Sequence, residues 1–193
     1  ETYDMVGAIS IHGTTAQFQP FSITKVAKVL PVTVDATAGD LTAQINAKKA
    51  EITTAGDKVG DITINLAADA AYTVSESIEA PAGLVINGNG ATIDASAVET
   101  PFVSMSAEPT AEYINNFYRV NAVKIANATI KGVKGSLFYD SNKPYCVVDF
   151  TLDNSVVELA TTAVSNEAII AFQAGGVKDL TINKSTVYGN AVA

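Results

Sequence analysis

Val123-Lys124-Ile125-Ala126-Asn127-Ala128-Thr129-Ile130, Phe150-Thr151-Leu152-Asp153-Asn154-Ser155-Val156-Val157 and Leu180-Thr181-Ile182-Asn183-Lys184-Ser185-Thr186-Val187 share one pattern. Each reads apolar, any, apolar, any, Asn or Lys, small, any, apolar. The copies start 27 residues apart (123 to 150) and then 30 apart (150 to 180). Leu84 to Ile93 is a looser copy, with two extra residues in Asn87-Gly88-Asn89-Gly90. A second short run follows three of these segments, in Phe102-Val103-Ser104-Met105, Ser136-Leu137-Phe138-Tyr139 and Ala168-Ile169-Ile170-Ala171-Phe172. A repeat of this length is one supersecondary unit, which cannot bury its apolar positions alone. Stacking the units in register puts Ile125, Leu152 and Ile182 in one interior column. Asn127 and Asn154 then form a corner ladder. Asn tolerates the left-handed backbone of a tight corner, and stacked amides can hydrogen-bond along such an array.

A solenoid has open ends with unpaired strand edges. Residues 39–53 supply the one good helix candidate. Asp40 is placed to cap it, Leu41, Ile45 and Ile52 share a stripe, and Gly56-Asp57 ends it. This helix, at about 40–52, is expected to cover the first coil. Residues 1–36 alternate loosely through Ile9, Ile11, Phe21, Ile23, Val32 and Val34. They read as a short β appendage or the end of a preceding domain, with the solenoid over 37–193.

Composition limits the partners. Hydrophobic residues are 48% of the 193 and charged ones 17%, which argues for a packed core and against disorder. The net charge is −8 and Arg119 is the single Arg. Such a surface cannot neutralise many phosphates, so it argues against nucleic acid. Cys146, the one cysteine, sits in an apolar run and reads as a buried small hydrophobe. No run of about 18 apolar residues is present to cross a membrane as a helix. The chain lacks an initiator Met and a leader, and is read as processed, with a signal segment removed and an extracellular or cell-surface location.

The capping segment Asp40-Leu41-Thr42-Ala43-Gln44-Ile45, the strands Asp61-Ile62-Thr63-Ile64-Asn65-Leu66 and Tyr72-Thr73-Val74, and the corner Ile86-Asn87-Gly88-Asn89-Gly90-Ala91-Thr92-Ile93 together resemble the opening of the pectate-lyase-like β-helix superfamily. The resemblance covers roughly residues 38–190. The later coils are similar to β-helix domains of unknown function in secreted or surface lipoproteins of gut Bacteroidetes. The resemblance implies an all-β chain: a right-handed single-stranded parallel β-helix with an N-terminal capping α-helix.

For function, the resemblance implies polysaccharide as partner. Lyases of the superfamily use an Arg or Lys base, often with calcium. Here only Arg119, Lys131 and Lys134 offer such a base, and each also reads as a solvated surface residue. Glycosidases of this fold need paired carboxylates flanking one bond. Asp149 and Asp179 each precede the first apolar residue of a repeat and are expected to stack in one acidic column. The supporting His is missing, since His12 is the only one and lies outside the repeats. Without any Trp, aromatic platforms for sugar fall to Tyr. Tyr139 and Tyr145 flank residues 140–144, and with Tyr118, Arg119 and Lys131 they are the candidate glycan contacts. No catalytic residue, metal ligand or obligatory cofactor is assigned. The favoured reading is a non-catalytic secreted or cell-surface protein that binds glycan or serves as a scaffold. The alternative is a polysaccharide lyase or glycoside hydrolase acting outside the cell. A third reading is a structural fragment whose function lies in further coils. Oligomeric state is left open.

Overall fold

The computed structural model describes residues 2–12, 14–99, 101–105, 120–139, 147–160, 168–172 and 176–189. The hairpin strands β1 (Tyr3–His12) and β2 (Thr15–Lys25) pair antiparallel. From there the chain revisits the same places in turn. The first round holds β3 (Val29–Ala36), β4 (Gly39–Asp40) and the helix α1 (Leu41–Thr54). The second holds β5 (Lys58–Leu66), β6 (Ala71–Thr73) and β7 (Ile78–Glu79). The third holds β8 (Leu84–Asn87), β9 (Thr92–Asp94) and β10 (Val103–Ser104). The fourth holds β11 (Val120–Ala126), β12 (Thr129–Val133) and β13 (Phe138–Tyr139). β14 (Val147–Asp153), β15 (Val156–Leu159) and β16 (Ile170–Ala171) follow, then β17 (Gly176–Asn183) and β18 (Thr186–Tyr188).

These strands build three parallel sheets. The first runs β3-β5-β8-β11-β14-β17, the second β4-β6-β9-β12-β15-β18 and the third β7-β10-β13-β16. The described chain is therefore mostly strand, in parallel sheets, with one helix. The register aligns Ile64, Ile86, Ile125, Leu152 and Ile182 in one column of the first sheet. The first four are fully buried. In the second sheet Tyr72, Ile93, Ile130 and Val157 align and are buried. In the third, Phe138 sets its ring 5.4 Å from that of Phe150 and 5.6 Å from that of Phe172. Burying each such side chain contributes roughly 1.5–3 kcal/mol. Ile182 departs from its column by being 52% exposed, because β17 is the last strand of the sheet and no described strand lies over it.

Residues 29–36, grouped with the appendage on sequence alone, form the outermost strand of the first sheet. Val32, Val34 and Ala36 turn inward and align with Ile62, Ile64 and Leu66. Asp40 caps α1, its Oδ1 accepting from Thr42 N at 3.0 Å and Ala43 N at 3.3 Å. Leu41 and Ile45 are buried against the first coils, and Lys49 Nζ donates to the Glu79 carbonyl at 2.8 Å. The helix thus lies over one end of the stack and is tied to the third sheet.

The corners explain the repeat. Asn127, Asn154 and Lys184 have φ of 54°, 44° and 47°. The small residue that follows also has a task. Ser155 Oγ accepts from Ala128 N at 3.2 Å, and Ser185 Oγ accepts from Ser155 N at 3.1 Å. In the looser coil, the Gly88 and Gly90 amides donate to the Ala126 and Asn127 carbonyls, both at 2.7 Å. A Cβ on Gly88 would lie 2.4 Å from the Asn127 carbonyl oxygen, so the extra residues fit only because Gly stands there.

Candidate functional site

Strand alternation sends polar side chains outward, and parallel register sorts them into columns. On the outer face of the first sheet, Asp149 lies directly beside Asp179. The next column runs Thr33, Thr63, Val85, Lys124, Thr151 and Thr181. The column after it begins with Asp35, Asn65 and Asn87 and ends with Asp153 and Asn183. Within it the amides donate from coil to coil: Asn65 to Asp35, Asn87 to Asn65 and Asn183 to Asp153, each at 2.8 Å. Asp61 is engaged too, accepting from Gly83 N at 2.8 Å.

The second sheet carries an alternating-charge column. Asp94 aligns with Lys131. Between the pairs Ile130↔Val157 and Val133↔Leu159, Lys131 and Gly132 stand against the single residue Glu158. Glu158 then aligns with Tyr188, whose hydroxyl donates to it at 3.3 Å. Hydrogen bonds from Ser96 hold the Asp94 carboxyl below its ordinary range, and Lys131 adds to the effect. The Glu158 charge, first among the causes, raises the Tyr188 phenol. Lys131 therefore sits within a line of charges on this face. Lys134 pairs with Glu99 at 2.9 Å.

The third sheet turns Tyr139 outward, in register with Glu79, Ser104 and Ala171. Tyr139, Lys131 and the Asp149–Asp179 column thus belong to three different sheets. Tyr118, Arg119, Tyr145 and Cys146 lie outside the described residues, so the expected patch of Tyr139 and Tyr145 does too. At the corner between the first two sheets, a groove of about 430 Å³ is lined by Asn89, Gly90, Asn127, Ala128, Thr129, Asn154 and Val156. Asn154 Nδ2 donates to Asn127 Oδ1 there, at 2.7 Å. Lys124, in the column beside Asp149, was not singled out from the sequence. Its outward position in the quoted repeat was the available signal.

The carboxylates do not make a calcium site. Calcium takes roughly six to eight oxygens, whereas Asp149 and Asp179 offer one pair and Asp153 already accepts from Asn183. Among the described residues, no three His, Cys, Asp or Glu side chains group closely enough to hold a metal ion. Among them, too, no helix is long and apolar enough to cross a membrane.

The family described as Domain of unknown function (DUF4957) matches residues 2–190, and the chain belongs to it. The match takes in the β1–β2 hairpin together with the stacked sheets. No curated protein and no solved structure matches the chain.

Proposed function

We propose that the stacked rounds close into a right-handed single-stranded parallel β-helix capped by α1, of the pectate-lyase-like kind. We further propose that the protein is a non-catalytic secreted or cell-surface module that binds glycan or serves as a scaffold. One observation carries this reading: the outward polar side chains are committed to holding coils together. Asn65, Asn87, Asn154 and Asn183 donate along the stack, and Asp35, Asp61 and Asp153 accept within it. Catalysis requires groups converging on one bond. Here the candidates are spread over three sheets. A long face of Thr and Asx with strands ~4.8 Å apart suits repeated, weak contact with an extended polymer.

Asp149 beside Asp179 favours the second reading, a lyase or hydrolase, because it brings two carboxylates together next to the Lys124 column. A screen of the protein against plant and host polysaccharides, with and without calcium, separates the two. Binding without unsaturated products or new reducing ends supports the module. Turnover abolished by Asp149→Asn or Asp179→Asn supports the enzyme. The absence of both binding and turnover removes the glycan proposal and leaves the scaffold.

A further inference from the structure

The hairpin is amphipathic, and its apolar side faces solvent. Along β1, alternation places Tyr3, Met5, Gly7 and Ile9 on one face. The register sets Ile23 beside Met5, Pro20 beside Gly7 and Phe18 beside Ile9. Phe21 is the extra residue of a bulge between Val6 and Gly7, and it keeps the apolar positions of β2 on this same side. The opposite face carries Asp4, Thr24, Ser22 and Gln17. The apolar face is open: Met5 is 56% exposed, Ile9 75%, Phe18 45% and Ile23 57%. A two-stranded ribbon is marginal alone in water and needs its apolar face covered. Its ties to the stack run through its base, where Lys25 Nζ donates to the Ala55 carbonyl and pairs with Asp57 at 3.3 Å.

We infer that this face pairs with the same face of a second copy, across a two-fold axis, as a four-stranded sandwich. The chemistry of the face selects an apolar partner. Lys25 is its one charged residue and is already engaged, so a charged or sugar ligand finds little to bond. The ribbon itself offers an apolar sheet of matching length and width, and such a contact is self-complementary. Area sets the strength. Strands of this length at ~3.4 Å per residue, in a ribbon ~10 Å wide, present roughly 350 Å² per copy. That is below the about 800 Å² per partner of a standard interface. The dimer is therefore weak and concentration-dependent. Each copy carries −8, so salt strengthens the dimer by screening repulsion.

Sedimentation equilibrium of the 193-residue chain tests this. The mass is expected to rise from 20.0 kDa towards twice that value with concentration, and further at high salt. The double variant Ile9→Asp/Ile23→Asp should stay at the lower mass, and Gln17→Asp on the polar face should associate like the wild type. Hydrogen exchange of the unsubstituted protein is the second readout, with amides 3–25 gaining protection as concentration rises. A wild type that stays at 20.0 kDa throughout, including one that instead binds neutral phosphatidylcholine vesicles, overturns the proposal. So does association without concentration-dependent protection of the hairpin.

Discussion

Asn65 donates its side-chain amide to the Asp35 carboxylate across 2.8 Å, and receives in turn the amide of Asn87. The chain of amides has a direction. Every donor points towards the N-terminal coil, and the run ends on Asp35, a residue that only accepts when ionised. Asn183 and Asp153 repeat the arrangement at the other end of the sheet.

A double-mutant cycle on Asp35→Ala and Asn65→Ala should therefore show coupling. The pair is solvent-exposed, so the expected coupling is about 0.5–1 kcal/mol by urea unfolding. Additive effects would mean that the ladder is ornament to the backbone pairing.

Ile125 lies fully buried between Ile86 and Leu152. Ile125→Asp puts an unpaired charge into that column and should cost upwards of about 4 kcal/mol. Ile125→Val should cost about 1 kcal/mol. Denaturant unfolding of both variants gives the answer, and equal midpoints would place Ile125 outside the core.

Two glycines separate crowding from backbone freedom. A Cβ at Gly88 meets the Asn127 carbonyl oxygen at 2.4 Å, whereas at Gly176 the nearest atom is 3.8 Å away. Gly88→Ala should lose about 2–3 kcal/mol, and Gly176→Ala should stay within about 0.5 kcal/mol of wild type. Thermal unfolding of the two side by side is sufficient, and similar midpoints would refute the close approach of the two corners.

Asp40 links the helix to the stack. The Thr42 hydroxyl is the main cause that lowers its carboxyl, with Ser75 and the Thr42 and Ala43 amides adding to it. A carboxyl whose folded pKa lies below its unfolded value stabilises the fold above that unfolded value, and loses the contribution as pH falls through the folded one. Asp40→Ala should cost about 1 kcal/mol at neutral pH. The gap between wild type and Asp40→Ala should close as the pH drops below 3.8. A gap that is the same at about pH 3 as at pH 7 would show that ionisation plays no part.

Much of the stack could be read from residue type. The alternation of Val123, Ile125, Phe150 and Leu152 marks an inward face whatever the loops do, and Asn127 and Asn154 stand where the backbone must turn left-handed. Helix α1 was equally plain, because capping and an apolar stripe are local. β3 was harder, since its partner Lys58–Leu66 lies across the helix and the join is a bulge between Leu30 and Val32. The hairpin's apolar face was hidden for the same reason: Phe21 breaks the alternation that would have revealed it. The candidate site resisted because function depends on which sheet a residue faces from. Lys131, Tyr139 and Asp149 are near in sequence, and each belongs to a different sheet.

The register along the first sheet carries a rule for how this molecule can change in length. Each round touches only the ones before and after it, and every inward side chain sits above its counterpart. Removing or duplicating a complete round, such as the 27 residues from Val123 to the one before Phe150, leaves all the neighbours in step. Removing a single residue from within a strand turns one inward face outward. Lineages of this chain can therefore grow and shrink in whole turns, while their strands are held to fixed phase.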